Sequence, residues 1–459
     1  MNNCFNVNCS QCDDTLVCWF NSGQTINVAY DVSNFYCQGF DGCRALISVN
    51  GVEPNDYIET SHTFTGSSFL NTTANTGSYK GYGEGDECEK CGSSSSFVID
   101  GAHIVEYGLR EVSGKSYSVI IEDSMSGLGD LLRVYIPSKV ISIKKSAFSN
   151  CTKLEDVFIG TNVTSVGDNA FLGCKSLKNI DWGCCNNNNK TLSLGNYAFK
   201  GCTSLETLNI EDCIKTAKDY CFEGCTSLTN LILGTGLRKL SNGIFKDCSS
   251  LSGVSIPSNI KSIGGAAFSG CSSLESIDLS SVTSIGNSAF KSCTSLSSVT
   301  LSNDLKGISG QTFSHCFNLA NINLNNIKSI GGSAFEGCGS LKSIDLSMAE
   351  TIGERTFIDC TGLTRATFGE NLTTIDDNAF KNTRIDKIEL GSNISRIGQN
   401  AFDIQVNRTI TIKRLIPPEL MYYALGNPGT IDKICVPDPF KYEQNPTWED
   451  YKEKLVKIN

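Results

Sequence analysis

A phenylalanine returns every 22 or 23 residues through most of this chain, at Phe148, Phe171, Phe199, Phe222, Phe245, Phe268, Phe290, Phe313, Phe335, Phe357, Phe380 and Phe402. One interval, Phe171 to Phe199, is 28, and it holds an Asn-rich insertion at residues 183–190 carrying Cys184 and Cys185. The neighbours of the Phe repeat as well. In most units Cys follows three residues later and Leu six later, as in Phe268, Cys271 and Leu274. Ile277 and Leu279 then alternate with polar residues, which is the pattern of a short strand with one buried face. A turn of Ser, Asn or Gly comes next. A further apolar residue such as Ile285 stands five before the next Phe, with Gly286 behind it for a tight bend.

A unit this short cannot bury its own Phe, Leu and Ile. Stacking the units buries them in one column, so the period predicts a repeat solenoid of about twelve coils with parallel strands roughly 4.8 Å apart. Leu131, Val134 and Ile136 occupy strand positions ahead of the first Phe. After Phe380 the pattern changes to Thr383 and Ile385 with one residue deleted, as expected of an atypical terminal coil.

The phrase Ile256-Pro257-Ser258-Asn259-Ile260-Lys261-Ser262-Ile263-Gly264, leading to Ala267-Phe268-Ser269-Gly270-Cys271-Ser272-Ser273-Leu274, closely resembles the consensus of leucine-rich repeats of the BspA-like class. The resemblance covers residues 131–412. It implies a leucine-rich repeat array and adhesion, since BspA-like repeats occur in surface proteins that bind host or matrix partners. The class often carries a small immunoglobulin-like module in front. Arrays behind such a module also resemble fibre or receptor-binding proteins of phages of gut bacteria.

The expected organisation is a β-rich attachment domain at 1–125, the solenoid at 126–412 and a cap with strand and helix at 413–459. Residues 1–125 show short β-prone runs between polar turns, suggesting a small all-β sandwich, with a long Gly/Ser/Thr/Asn-rich loop at 65–96. In the tail, residues 431–436 read as a strand, and Trp448, Tyr451, Leu455 and Val456 fall near helical spacing, able to cover the last coil. Charge is uneven. Residues 1–125 hold 16 Asp and Glu against 5 Lys and Arg, a net of −11, which leaves +1 for the rest of a chain whose net charge is −10. No basic stripe is present, so nucleic acid is not an expected partner. No apolar run approaches the roughly 20 residues of a membrane span. The first basic residue is Arg44 and no apolar stretch follows Met1, so no secretory signal is expected.

Most of the 23 cysteines fall into two groups. Ten share one register: Cys151, Cys174, Cys202, Cys225, Cys248, Cys271, Cys293, Cys316, Cys338 and Cys360. They are expected to be buried as small apolar residues whose S–H meets a backbone carbonyl, and not to bridge. The N-terminal segment carries two CxxC pairs, Cys9/Cys12 and Cys88/Cys91. Together they could complete a tetrahedral zinc site, with disulfides and unlinked thiols as the alternatives.

No nucleotide-binding, metalloprotease or serine-hydrolase motif is present, and the three His (His62, His103, His315) are far apart, so the chain is expected not to be an enzyme. The candidate binding surface is the row of residues between the two apolar strand positions: Asp181, Asn209, Ser255, Asp278, Thr300, Asn323, Asp345, Thr367 and Glu389, with Phe158 and Ile232 in the same register. A flat hydrogen-bonding face of this kind suits recognition of a protein more than of a sugar, because aromatic rings are nearly absent from it. The expected function is surface recognition or adhesion toward a protein or cell-surface glycan, with the N-terminal segment joining other virion or surface proteins. The expected location is a virion or cell surface, the alternative being a cytoplasmic scaffold for protein partners.

Overall fold

The computed structural model describes residues 126–127, 134, 136, 140–183 and 191–458 with their side chains, together with the backbone of the strands between residues 2 and 135. The chain divides into two compact units, Met1–Leu228 and Thr229–Asn459. The repeat region is a parallel β-solenoid of about 13 turns.

A typical coil has two short strands and a turn, and most of these stack on their counterparts one coil away. In the second unit Ser276–Leu279 pairs in parallel with Ser298–Leu301, setting Ile277 against Val299, Asp278 against Thr300 and Leu279 against Leu301. The other strand of the coil, Ser284–Ile285, pairs with Ser262–Ile263. In the first unit Arg133–Tyr135, Asp156–Phe158 and Asn179–Asp181 form the first ladder. Val140–Ile143, Ser165–Val166, Leu192–Leu194 and Ile214–Ala217 form the second. The alternation of the sequence is visible in the burial of Ser276–Leu279, where Ile277 and Leu279 face inward and Ser276 and Asp278 outward.

The third side is a turn built around the Phe. Two residues before it, and usually two after, the backbone is left-handed. In the second unit Ala266, Ser288, Gln311, Ser333, Arg355, Asn378 and Asn400 all precede their Phe with φ between 52 and 59°. Non-glycine residues adopt this region at a cost, and hydrogen bonding offsets it. Ser288, Phe290 and Ser292 donate their N–H groups to the carbonyls of Gly310, Thr312 and Ser314 at 2.9, 2.9 and 2.8 Å. Alternate residues of an irregular turn thus bond from coil to coil as a strand would. Inside, the Phe rings stack with centroids 5.0–5.4 Å apart from Phe148 to Phe222 and 5.2–5.6 Å apart from Phe245 to Phe402. The offset-stacked geometry adds to the area each ring buries.

The cysteine ladder runs beside the rings. Cys271, Cys293, Cys316, Cys338 and Cys360 are buried free thiols. Each donates its S–H to the carbonyl of the Phe one coil back, at 3.1–3.2 Å. Cys174 and Cys202 do the same in the first unit, at 3.2 and 3.5 Å. Where the terminal coil substitutes Thr383, its hydroxyl bonds the carbonyl of its own Phe380 instead, at 2.8 Å.

The array runs one turn past its last Phe. Leu425 occupies the Phe register, Tyr423 has the left-handed φ of 50° and Phe402 donates its N–H to Ala424 O at 2.9 Å. Glu419–Leu420 pairs with Arg396–Ile397. Ile431–Val436 is a strand, as the sequence predicts. The tail then holds a short α-helix, Pro439–Glu443, and a second helical stretch from which Leu455 and Val456, at helical spacing in the sequence, are excluded. Pro446–Lys454 is a 3-10 helix, whose period of three puts Trp448 and Tyr451 on one buried face. Leu455–Lys457 is a strand that extends the sheet beside Ile431–Val436, with Val456 exposed.

In the N-terminal segment Asn2–Asn6, Leu16–Phe20, Thr25–Asp31, Ser95–Asp100, His103–Val112 and Lys115–Ile120 pair antiparallel in succession. The last of them pairs in parallel with Val140–Ile143, so the sheet continues into the first coils. Leu70–Thr73 and Ser78–Lys80 make a hairpin inside the stretch expected to be loop. The remainder of that segment, on which the immunoglobulin-like sandwich turns, lies outside the described residues. No helix among the described residues is long and apolar enough to cross a membrane.

Candidate recognition surface

All nine candidate surface residues are exposed. Asp181 and Asn209 belong to the first unit, and the other seven to the second. Asp278 and Thr300 sit side by side, and Asn323 follows in the same register beyond Asn321–Ile322. Asp345 is opposite Thr367. Ser255 lies next to Val254, whose pairing with Leu231 is a single bridge and not a strand.

Several of these side chains also have a local task. Asp181, Asp278, Asn323 and Asp345 each accept the N–H two residues ahead, from Gly183, Ser280, Asn325 and Ser347, all at 2.9 Å. This is the Asx turn, which ends the strand and bends the chain into the next side of the coil. One oxygen of each is therefore committed to the turn.

The ladder of this face is interrupted in the second unit between Asn321–Ile322 and Ser343–Leu346, and again between Arg365–Phe368 and Lys387–Leu390. Arg365–Phe368 pairs with Ser343–Leu346, and Lys387–Leu390 pairs with Arg408–Ile412, but the two inner strands are not hydrogen-bonded to each other. The single-residue deletion after Phe380 falls in the connection between them. Arg384 N–H reaches Leu363 O there at 2.8 Å. A depression of about 270 Å³ opens at this second interruption. Thr367 and Glu389 line it with Arg365, Asp386 and Lys387, over half-buried Ala366 and Phe368. The Phe368 ring is held edge-on against Phe380 and Phe402 at 5.4 and 6.2 Å, so this floor is rigid. Lys387 and Glu389 pair at 2.5 Å, which holds the Glu389 carboxyl below the usual carboxylate range and raises the Lys387 ammonium. The depression thus offers charges of both signs beside hydroxyl and ring carbon. Arg365, Asp386 and Lys387 were not among the expected surface residues, although the deletion after Phe380 marks their place in the sequence.

His315, between Phe313 and Cys316, sits in the left-handed turn position with Nδ1 2.7 Å from Ser314 Oγ. Cys9, Cys12, Cys88 and Cys91, the expected zinc ligands, lie outside the described residues.

The sequence pattern of the BspA type Leucine rich repeat region matches residues 118–193, 184–297 and 283–409, in six copies. The chain belongs to this family. No curated protein matches it. Among crystal structures it is similar to a leucine-rich repeat protein from Bacteroides ovatus, with 22% identity, 80% of this chain and 98% of that one covered, and a TM-score of 0.46. A leucine rich cell surface protein from Faecalibacterium prausnitzii gives 21%, 62%, 94% and 0.32 in the same order. The pneumococcal vaccine antigen PcpA gives 16%, 77%, 95% and 0.44.

Proposed function

We propose that this BspA-type repeat protein is a non-enzymatic recognition protein, displayed on a virion or cell surface, that binds a protein partner through the exposed strand face of its second unit. The observation that carries the reading is the depression between Arg365–Phe368 and Lys387–Leu390. Cations, carboxylates, hydroxyls and the edge of a fixed ring converge there with no catalytic grouping. Charges of both signs suit a polypeptide surface, which presents the complementary pattern. The N-terminal segment serves as the attachment.

The test is an array of immobilised cell-surface proteins, matrix proteins and glycans probed with the purified full chain. Arg365→Glu with Lys387→Glu is expected to weaken binding to a protein partner about tenfold or more, while the melting midpoint stays within a degree or two. Asp278→Lys with Asp345→Lys is expected to have a smaller effect. Protein binding that survives the first pair unchanged would misplace the site, and binding to glycans alone would overturn the partner class.

We further propose that Cys9, Cys12, Cys88 and Cys91 hold one zinc ion, whose thiolate ligation would supply folding energy to a small acidic domain. Elemental analysis of protein purified without chelator should then find about one zinc per chain, lost in Cys9→Ser with Cys88→Ser. Zinc-free protein with these four cysteines joined as disulfides would refute it.

A further inference from the structure

The residue seven places ahead of each Phe stands directly before the second strand of its coil. In the second unit these residues begin with Arg238, Lys261, Thr283, Lys306, Lys328 and Glu350, all exposed. Backbone bonds stack them. Lys261 N–H donates to Arg238 O at 3.3 Å, Thr283 N–H to Lys261 O at 2.9 Å, Lys328 N–H to Lys306 O at 2.8 Å and Glu350 N–H to Lys328 O at 2.7 Å. Between Thr283 and Lys306 the second strands do not pair, and Ser309 Oγ spans that step to Ile285 O at 2.6 Å. Four of five successive coils thus set a cation on one line, in a chain whose net charge is −10. The line is about 19 Å long at the spacing of neighbouring strands. It does not show as a run in the sequence, because its members stand a coil or two apart and meet only on stacking.

The charges on this line are open. Among the described residues no carboxylate pairs with Arg238, Lys261 or Lys306. Lys261 Nζ donates to Ser281 O at 3.2 Å and Lys306 Nζ to Asn303 O at 2.9 Å. These carbonyls of the adjoining turns hold the ammonium groups to the surface and leave each with further N–H groups to donate. The carboxylates beside the line are Asp304, in the turn before Lys306, and Glu350, which pairs with Lys328 at 2.9 Å and ends it. Ser262, Ser284 and Ser329 follow their members of the line in sequence, so hydroxyls run beside the cations.

We propose that this line binds a linear sulfated polysaccharide laid along the stacking direction of the coils. A sugar unit of an extended chain advances by about one coil step, so an anionic group on most sugars meets a cation on most coils. A polysaccharide with one carboxylate for every two sugars leaves adjacent cations such as Lys306 and Lys328 unmatched. Thr283 and the serines suit the sugar hydroxyls. A nucleic-acid duplex winds its phosphates away from a straight line, and a single strand needs rings on which its bases stack, none of which stands in the line. The line lies on a different strand from the face proposed above for a protein partner, so the two sites are independent.

The experiment measures binding of the full chain to heparin across a salt series, with hyaluronan and a DNA duplex as comparison polymers. In Lys261→Glu with Lys306→Glu, heparin binding should weaken about tenfold or more and depend less steeply on salt, with the melting midpoint unchanged. Arg365→Glu with Lys387→Glu makes the same charge change in the depression and should leave heparin binding within about twofold. The Lys261 and Lys306 variant should keep its binding to a protein partner, so either site can fail without the other. Hyaluronan should bind about tenfold or more weakly than heparin. Equal losses of heparin binding in the two charge-reversed variants would assign the effect to net charge and overturn the line as a site. Hyaluronan or DNA bound as tightly as heparin would overturn the sulfated polysaccharide as its ligand.

Discussion

Raising the pH from 8 to 10 is expected to unfold the second unit at a temperature where it is stable at pH 8. Burial pushes the thiols of Cys271, Cys293, Cys316, Cys338 and Cys360 above the ordinary value of 9.0, Cys316 to about 12. In the folded coil they stay protonated at pH 10. In the unfolded chain they ionise through pH 9, so the unfolded state binds fewer protons and stability falls as the pH rises. Below about pH 9 the contribution is fully present. At pH 10 each thiol removes on the order of 1 kcal/mol, and five of them several kcal/mol. A typical domain has about 5–15 kcal/mol to lose. The tyrosines Tyr442 and Tyr451, also raised by burial, act in the same sense only above pH 10. The measurement is a series of thermal melts from pH 7 to 10.5. Cys293→Ala with Cys338→Ala should flatten the decline by about two fifths, whatever the two changes cost at pH 7. An unchanged pH slope in that variant would assign the loss to other groups.

The ladder was legible because ten cysteines share one register with the Phe, and a register that repeats can be read without knowing the fold. The same logic fails where one member of the pattern is exchanged. Leu425 holds the place of a Phe, so a turn of the array reads as tail, although the Ala ahead of it is retained at Ala424. In the tail the period leaves the type of helix open. Trp448 and Tyr451 are three apart, a spacing shared by the α-helix and the 3-10 helix, and Pro446 at the start fits either. The surface row was legible as exposed but not as to purpose. An aspartate that closes a strand through an Asx turn occupies the same register as one that meets a partner. Only the N–H of Ser280 or Ser347 beneath it separates the two. The depression depends on which strands fail to pair. A one-residue deletion shows where the coil changes, but not that the ladder opens between Arg365–Phe368 and Lys387–Leu390.

Arg408 had no signal at all, and its removal is expected to cost about 3–5 kcal/mol. It opens the strand Arg408–Ile412, where an arginine reads as an edge residue reaching for solvent. In the structure it is only 1% exposed. Nη1 donates to Ile404 O at 2.9 Å, Val406 O at 3.2 Å and Thr430 Oγ1 at 2.7 Å, and Nη2 to Leu425 O at 2.5 Å and Phe402 O at 3.3 Å. Among the described residues no carboxylate is bonded to it, and burial pushes the guanidinium down to about 10. What it does is gather carbonyls that the two final turns turn inward, where neither strand nor coil stacking satisfies them. Gly426 makes room for it: a Cβ there would stand 2.8 Å from Nη2 and 2.5 Å from Phe402 O, at a φ of 77°. Arg408→Met keeps the volume and removes the charge, which relieves desolvation but leaves the carbonyls of Leu425 and Ile404 without their charged donor. Arg408→Lys restores charge but not the fork, and one ammonium cannot reach both groups of carbonyls. Both variants should therefore melt well below the unsubstituted chain. Hydrogen exchange should rise in Ile431–Val436 while Ser276–Leu279 stays protected, because the loss is local to the closure and not to the ladder. A Met variant as stable as the original would mean that burying the unpaired charge already cost as much as its hydrogen bonds return, and the closure would then rest on Trp448, Tyr442 and Tyr451 alone.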